Sequence, residues 1–151
     1  MDINFAQEKD LETVRSITQT TIKEIYPKYY PAGAVDFFIR HHSDDRIASD
    51  IKKGRVYILT DEGQKVGTVT IEDNHIFRLF VLPKYQGKGY GRALMDHAEK
   101  KAFENSDTIV LDSSLPAKKI YMKRGFKETE YHVIDTGNGD FLCYDVMEKH
   151  K

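Results

Sequence analysis

The sequence predicts an α/β (α+β) fold, a mixed central sheet flanked by helices, and three observations carry that expectation. Apolar residues recur at helical spacing from Glu8 to Ile25, then alternate or run together in short blocks from Val56 onward. A glycine-rich stretch, Gln86 to Gly91, stands between an apolar run and a long helical pattern. The resulting succession, β-α-α-α-β-β-β-α-β-α-β-β, interleaves strands and helices in one continuous series.

Taken in order, Ile3-Asn4-Phe5 begins as a short strand. From Glu8 to Ile25, Leu11, Val14, Ile17, Ile22 and Ile25 mark a helix face, and Pro27 is its stop signal. Tyr26 to Pro31 is a stiff aromatic turn. Val35–Ile39 and Ile47–Ile51 read as two short helices, the second closing at Gly54. Val56–Leu59 and Val66–Ile71 form a hairpin about Asp61-Glu62-Gly63-Gln64. Ile76 to Leu82 is nearly all apolar and ends at Pro83, as expected of a strand buried on both faces at the sheet centre. Leu94, Met95, Ala98 and Ala102 mark the long helix after the glycines. Thr108–Leu111 is a strand, Pro116 to Lys123 a helix ended by Gly125, and 127–134 with 141–147 a last hairpin around Gly137-Asn138-Gly139.

Composition fits one domain over residues 1–151. The chain is 40% apolar and 31% charged, with no repeat, low-complexity tract or Pro/Gly/Ser linker. At this length roughly 68–70% of the unfolded surface can be buried, so neither disulfides nor metal are needed. With 23 Lys+Arg against 24 Asp+Glu, there is no bulk attraction to nucleic acid or to an anionic membrane, and neither is expected as a partner. The single cysteine, Cys143, can form neither an internal disulfide nor a cysteine cluster, and the adjacent His41-His42 lacks further ligands at metal spacing. Met1 leads into Asp2 and an alternating segment rather than an apolar signal core, and no run reaches the roughly 18–20 apolar residues of a spanning helix. The expectation is a cytoplasmic domain without metal.

Gln86-Gly87-Lys88-Gly89-Tyr90-Gly91 follows a strand and opens a helix, where unpaired backbone N–H groups and the positive helix end converge on an anion. The glycines let the backbone curl around oxygen atoms, and Lys88 adds a mobile charge. The alternative is a tight turn with glycine for geometry alone. A P-loop needs Gly-Lys-Ser/Thr, but Gly91 is followed by Arg92-Ala93. A dinucleotide fingerprint counted from Gly87 and Gly89 meets Arg92 where a third small residue belongs.

Gln86-x-x-Gly89-x-Gly91, preceded by Arg78-Leu79-Phe80-Val81-Leu82-Pro83-Lys84-Tyr85, resembles the acyl-CoA-binding motif of the Gcn5-related N-acetyltransferase (GNAT) superfamily. Ala117, Tyr121, Gly125 and Phe126 resemble its later motif, in which a helix tyrosine precedes a Gly-Phe turn into a strand. The resemblance implies a mostly antiparallel central sheet, acetyl-CoA as co-substrate and transfer of its acetyl group to an amine, small-molecule or peptide. It implies that Leu79, Phe80 and Val81 lie along the pantetheine arm on a strand splayed from its neighbour, with the Leu79 N–H bonding the thioester carbonyl. Gln86, Gly87, Lys88, Gly89, Tyr90, Gly91 and Arg92 would hold the diphosphate. Lys84, Lys88, Arg92, Lys119 and Lys123 are candidates for the 3′-phosphate, although a solvated face suits most of them.

Direct transfer needs an acid for the leaving thiolate and a base for the ammonium. Tyr121 matches the family's usual acid; the alternative is a core tyrosine. Glu72 and His75 are the candidate bases, with an ordinary polar turn or a water chain as the competing account. Ser114 stands where the family often has an asparagine contacting the cofactor arm, which makes it a cofactor-binding candidate, and serine can also cap the helix there. The acceptor pocket draws on Tyr26, Tyr30 and Phe38, with Tyr29, Phe37, His41, His42, Tyr131, His132 and Tyr144 as further aromatic candidates. Dimers are common among such proteins, so a homodimer through the final hairpin is an expectation. The competing functions are a non-catalytic acyl-CoA-binding sensor or interaction domain and, against the charge balance, a nucleic-acid module.

Overall fold

The structure, a computed structural model, describes all 151 residues. Its strands are β1 (Asp2–Phe5), β2 (Val56–Asp61), β3 (Gln64–Glu72), β4 (His75–Val81), β5 (Thr108–Ser113), β6 (Lys127–Asp135) and β7 (Phe141–His150). Its helices are α1 (Leu11–Ile25), α2 (Ala32–His41), α3 (Asp44–Lys52), α4 (Tyr90–Asn105) and α5 (Leu115–Lys123), in the predicted succession. The seven strands form one sheet in the order β1-β2-β3-β4-β5-β7-β6, with β4 at its middle. Every pairing is antiparallel except β4 with β5.

Two layers cover the sheet. On one face α4 lays Leu94, Met95, Ala98 and Ala102 against Leu59, Val69, Ile109 and Met147. Gly67 on β3 permits this contact, since a Cβ there would lie 2.9 Å from Leu94 Cδ1 and 3.0 Å from the Phe80 carbonyl. On the other face Ile17, Ile22, Tyr26 and Val35 pack with Phe80 and Leu142. The first helix begins at Leu11 rather than Glu8, because Glu8–Asp10 form a single tight turn in which Asp10 Oδ2 accepts the Gln7 N–H at 2.9 Å.

The central strand departs from its expectation of burial on both faces. Ile76, Arg78 and Phe80 are buried while Phe77 and Leu79 are only half-buried. The cause is an opening in the sheet: registered β4–β5 pairs are His75↔Val110 and Ile76↔Leu111, and the strands separate beyond them. A bulge lies in the same stretch, where Thr68 pairs Phe80 but Thr70 pairs Phe77, placing Arg78 and Leu79 opposite Val69. Arg78 occupies the left-handed region at φ 49°. No helix is long and apolar enough to cross a membrane.

Candidate active site

A left-handed arginine in a strand needs support, and Arg78 has it from three elements. Its Nη1 donates to Asp50 Oδ2 of α3 at 2.9 Å and to Thr70 Oγ1 of β3 at 3.3 Å, and its Nε donates to His42 Nδ1 at the end of α2 at 3.3 Å. Burial and the neighbouring Arg78, His41 and Arg46 push the His42 imidazole down to about 3, so it stays neutral and can accept that bond. Beyond the bulge, the Leu82 N–H donates to Val66 on β3 at 2.9 Å, so by alternation Val81 turns to the open side. There the Val81 carbonyl accepts the Gln86 side-chain amide at 2.9 Å, tying the strand to the loop.

The loop carries the clearest functional geometry. Gly87 and Gly89 have φ of 78° and 88°, and a Cβ at either would meet nothing within 4 Å. The next intrachain bond from a main-chain donor is Ala93 N–H to the Gly89 carbonyl at 3.0 Å. From Gly87 through Arg92, six consecutive N–H groups therefore have no partner in the chain, all at the start of a 16-residue helix. Tyr90 anchors the turn by donating to Asp61 Oδ2 at 2.6 Å. Lys84 and Lys88 lie over the Tyr85 ring at 4.9 and 5.6 Å from its centroid. These donors, open glycines and cations fit an anionic group such as a diphosphate, and the unpaired β4 edge fits an extended polar arm.

Where β4 and β5 part, a cavity of about 340 Å³ opens. It brings together Glu72, His75, Leu79, Phe80, Ser114 and Tyr121 from the predicted catalytic and cofactor residues, and Tyr26 and Phe38 from the acceptor candidates. Phe37, His41, His42 and Tyr144 also line it. Tyr121 comes from α5, with its ring 5.9 Å from Phe126. Burial pushes its phenol up to about 12, so it remains protonated throughout the neutral range.

Ser114 occupies the N-cap of α5 at φ −74°, ψ 156°, but the expected side-chain cap bond is absent. Its carbonyl carries the first turn instead, accepting from Ala117 at 3.2 Å and Lys118 at 3.1 Å. Its side chain bears on the Tyr26 phenol, which burial holds above its usual value. Tyr30 differs from the acceptor role expected of it: it is buried outside the cavity, its hydroxyl accepting the Leu115 N–H at 2.7 Å and so holding the start of α5.

The two candidate bases are unequal. Glu72 Oε1 is ion-paired with Arg55 at 2.5 Å. His75 Nε2 is buried without a hydrogen-bond partner, 3.8 Å from Asp112 Oδ2. Other predicted residues lie apart: Lys119 is exposed on α5, Tyr29 is exposed after α1, and Tyr131 is 64% exposed on the sheet's outer strand. His132 stacks on Tyr144 at 5.1 Å behind the wall. Cys143 does not line the cavity.

Sequence reasoning missed Arg78 as a bulge anchor, and it missed Asp112. A charge flanked by Phe77 and Leu79 signals that Arg78 must find a buried partner. Asp112 has no such signal, since its position depends on where β5 leaves β4.

A family model described as an acetyltransferase (GNAT) domain matches residues 25–139. The peptidyl-lysine N-acetyltransferase YjaB of Escherichia coli is 31% identical over 97 residues, 64% of this chain and 65% of that protein. The crystal structure of a GCN5-related N-acetyltransferase from Rhodopseudomonas palustris superposes with a TM-score of 0.89 at 22% identity, covering 99% of this chain and 95% of the other. The PaiA N-acetyltransferase of Thermoplasma acidophilum, crystallised in complex with coenzyme A, has a TM-score of 0.72 at 22% identity, covering 99% and 98%.

Proposed function

The chain belongs to the GNAT acetyltransferase family, and from that premise we propose that it transfers the acetyl group of acetyl-CoA directly to a primary amine, on a small molecule or a peptide. The observation that carries this reading is the run of six unpartnered N–H groups from Gly87 to Arg92, beside a strand edge that leads into the cavity holding Tyr121. Coenzyme A complexed with the Thermoplasma relative supports it.

When bound, acetyl-CoA supplies an activated acyl carbon: a C–N bond forms, a C–S bond breaks, and sulfur leaves as a thiol. The chain's part is to bind, orient and move two protons. Loop amides and Lys88 hold the diphosphate; Leu79, Phe80 and Val81 align the arm along the open edge. The bulge at Arg78 aims the Leu79 N–H at the carbonyl oxygen, where negative charge grows during attack. His75, with its proton on Nδ1, takes a proton from the acceptor at Nε2, a role better suited to it than to Glu72 beside Arg55. Tyr121 gives its phenolic proton to the departing sulfur. Cys143, outside the cavity, forms no acyl intermediate.

Calorimetry with coenzyme A, paired with free-thiol release from acetyl-CoA across an amine panel, tests the reading. Saturable binding with turnover is expected. Binding without turnover on any amine would make the chain a sensor, and absence of binding would sink both accounts.

A further inference from the structure

The geometry points to an arylalkylamine as the acceptor class: a monocationic primary amine on a flat apolar body, its ammonium met by Asp112. This rests on the acetyl-transfer reading above and concerns which amine enters.

Charge narrows the choice first. Besides histidines, the cavity lining holds three ionised side chains, Glu72, Arg78 and Asp112. Arg78 is matched by Asp50 at 2.9 Å and Glu72 by Arg55 at 2.5 Å. Asp112 has no lysine or arginine partner; its nearest basic atom is His75 Nε2 at 3.8 Å. One negative charge is left for a ligand, at the side of the unpartnered imidazole nitrogen. An amino acid would bring a carboxylate to a wall with no free cation, and a polyamine would bring a second ammonium with no second free carboxylate.

The walls narrow it further. Tyr26, Phe37, Phe38, Phe77 and Tyr144 present aromatic rings from the turn after α1, from α2, β4 and β7. Tyr26 and Phe38 meet edge to face with centroids 4.7 Å apart, a packed corner against which a ring can stack. A volume of about 340 Å³ suits a one-ring amine.

The test compares 2-phenylethylamine, L-phenylalanine, spermidine and a lysine-containing peptide as acceptors with acetyl-CoA, reading free thiol and acetylated product by mass spectrometry. L-Phenylalanine keeps the ring and adds only the carboxylate. The expected result is a kcat/KM for 2-phenylethylamine at least about tenfold above each of the others. Asp112→Asn, at a half-exposed position, should raise the KM for 2-phenylethylamine about tenfold while the Kd for coenzyme A is unmoved. A faster reaction with any of the other three, or an unchanged KM in Asp112→Asn, overturns the inference and leaves acetyl transfer standing. Coenzyme A binding with no product from any of the four overturns acetyl transfer itself, and this inference with it.

Discussion

Arg78 Nη1 and Asp50 Oδ2 lie 2.9 Å apart, a buried ion pair joining α3 to the one central-strand residue in the left-handed region. The bulge beside which Leu79 sits is thus held by charge from a helix distant in sequence. Removing Asp50 leaves Arg78 buried without a counter-charge, and removing Arg78 leaves Asp50 only its longer contact to Arg55 at 3.6 Å. Arg78→Met or Asp50→Asn should each lower unfolding free energy by about 3–5 kcal/mol, measured by urea denaturation. A loss within the scatter of a surface substitution would show that the pair does not hold the strand.

Tyr121→Phe removes the proposed proton donor while keeping the ring against Phe126. kcat should fall about a hundredfold with little change in coenzyme A affinity. In the wild type the donor is protonated below its value of about 12 and is lost only as pH rises through it. An alkaline limb of kcat near pH 8–10 therefore belongs to another group, and should persist in the variant's pH–rate profile.

Gly87→Ala and Gly89→Ala meet no neighbour, so their cost is conformational: both positions have positive φ. A left-handed alanine costs roughly 1–2 kcal/mol. Each variant should stay folded but bind coenzyme A about tenfold more weakly by calorimetry, because the loop relaxes away from the geometry that aims its amides.

His42 titrates at about 3 against an ordinary value of 6.5, depressed first by burial and then by Arg78, His41 and Arg46. The unfolded chain therefore binds a proton here that the folded chain refuses. Stability falls as pH drops below about 6.5 and stops falling on this account near 3. His42→Gln should show a shallower loss of Tm between pH 6.5 and 4 than wild type; parallel curves would contradict the assignment.

Tyr30→Phe deletes the acceptor of the Leu115 N–H, 2.7 Å away. A loss of about 1 kcal/mol in unfolding free energy is expected, with the KM for the amine unchanged, since Tyr30 holds α5 and does not line the cavity. A raised KM with unchanged stability would return Tyr30 to the acceptor wall.

Much of the architecture is written locally. Pro27, Gly54, Pro83 and Gly125 punctuate the helices and strands, and Gly87 and Gly89 announce a loop of special backbone conformation, because proline fixes φ and glycine alone adopts positive φ without strain, irrespective of what packs nearby. The cavity is less legible. Tyr26 and Phe38 were identifiable only as aromatics that could equally fill a core, and Tyr30, chemically identical to Tyr26, turned out to serve α5. Ser114 has the residue type of a cap and the cap backbone, yet its hydroxyl faces Tyr26.

By itself the sequence determined the element order, the glycine loop at the head of a helix and the tyrosine helix, since periodicity, turn chemistry and unpaired helix-end amides are short-range properties. Only the tertiary structure decided that β4 and β5 part after Ile76↔Leu111, that Asp50 reaches Arg78, and that Asp112 faces His75 without a cation. Those relations join residues 28 to 37 positions apart in the chain. Their energy depends on burial and on which partner is nearest in space, quantities that exist only once the sheet has closed around them.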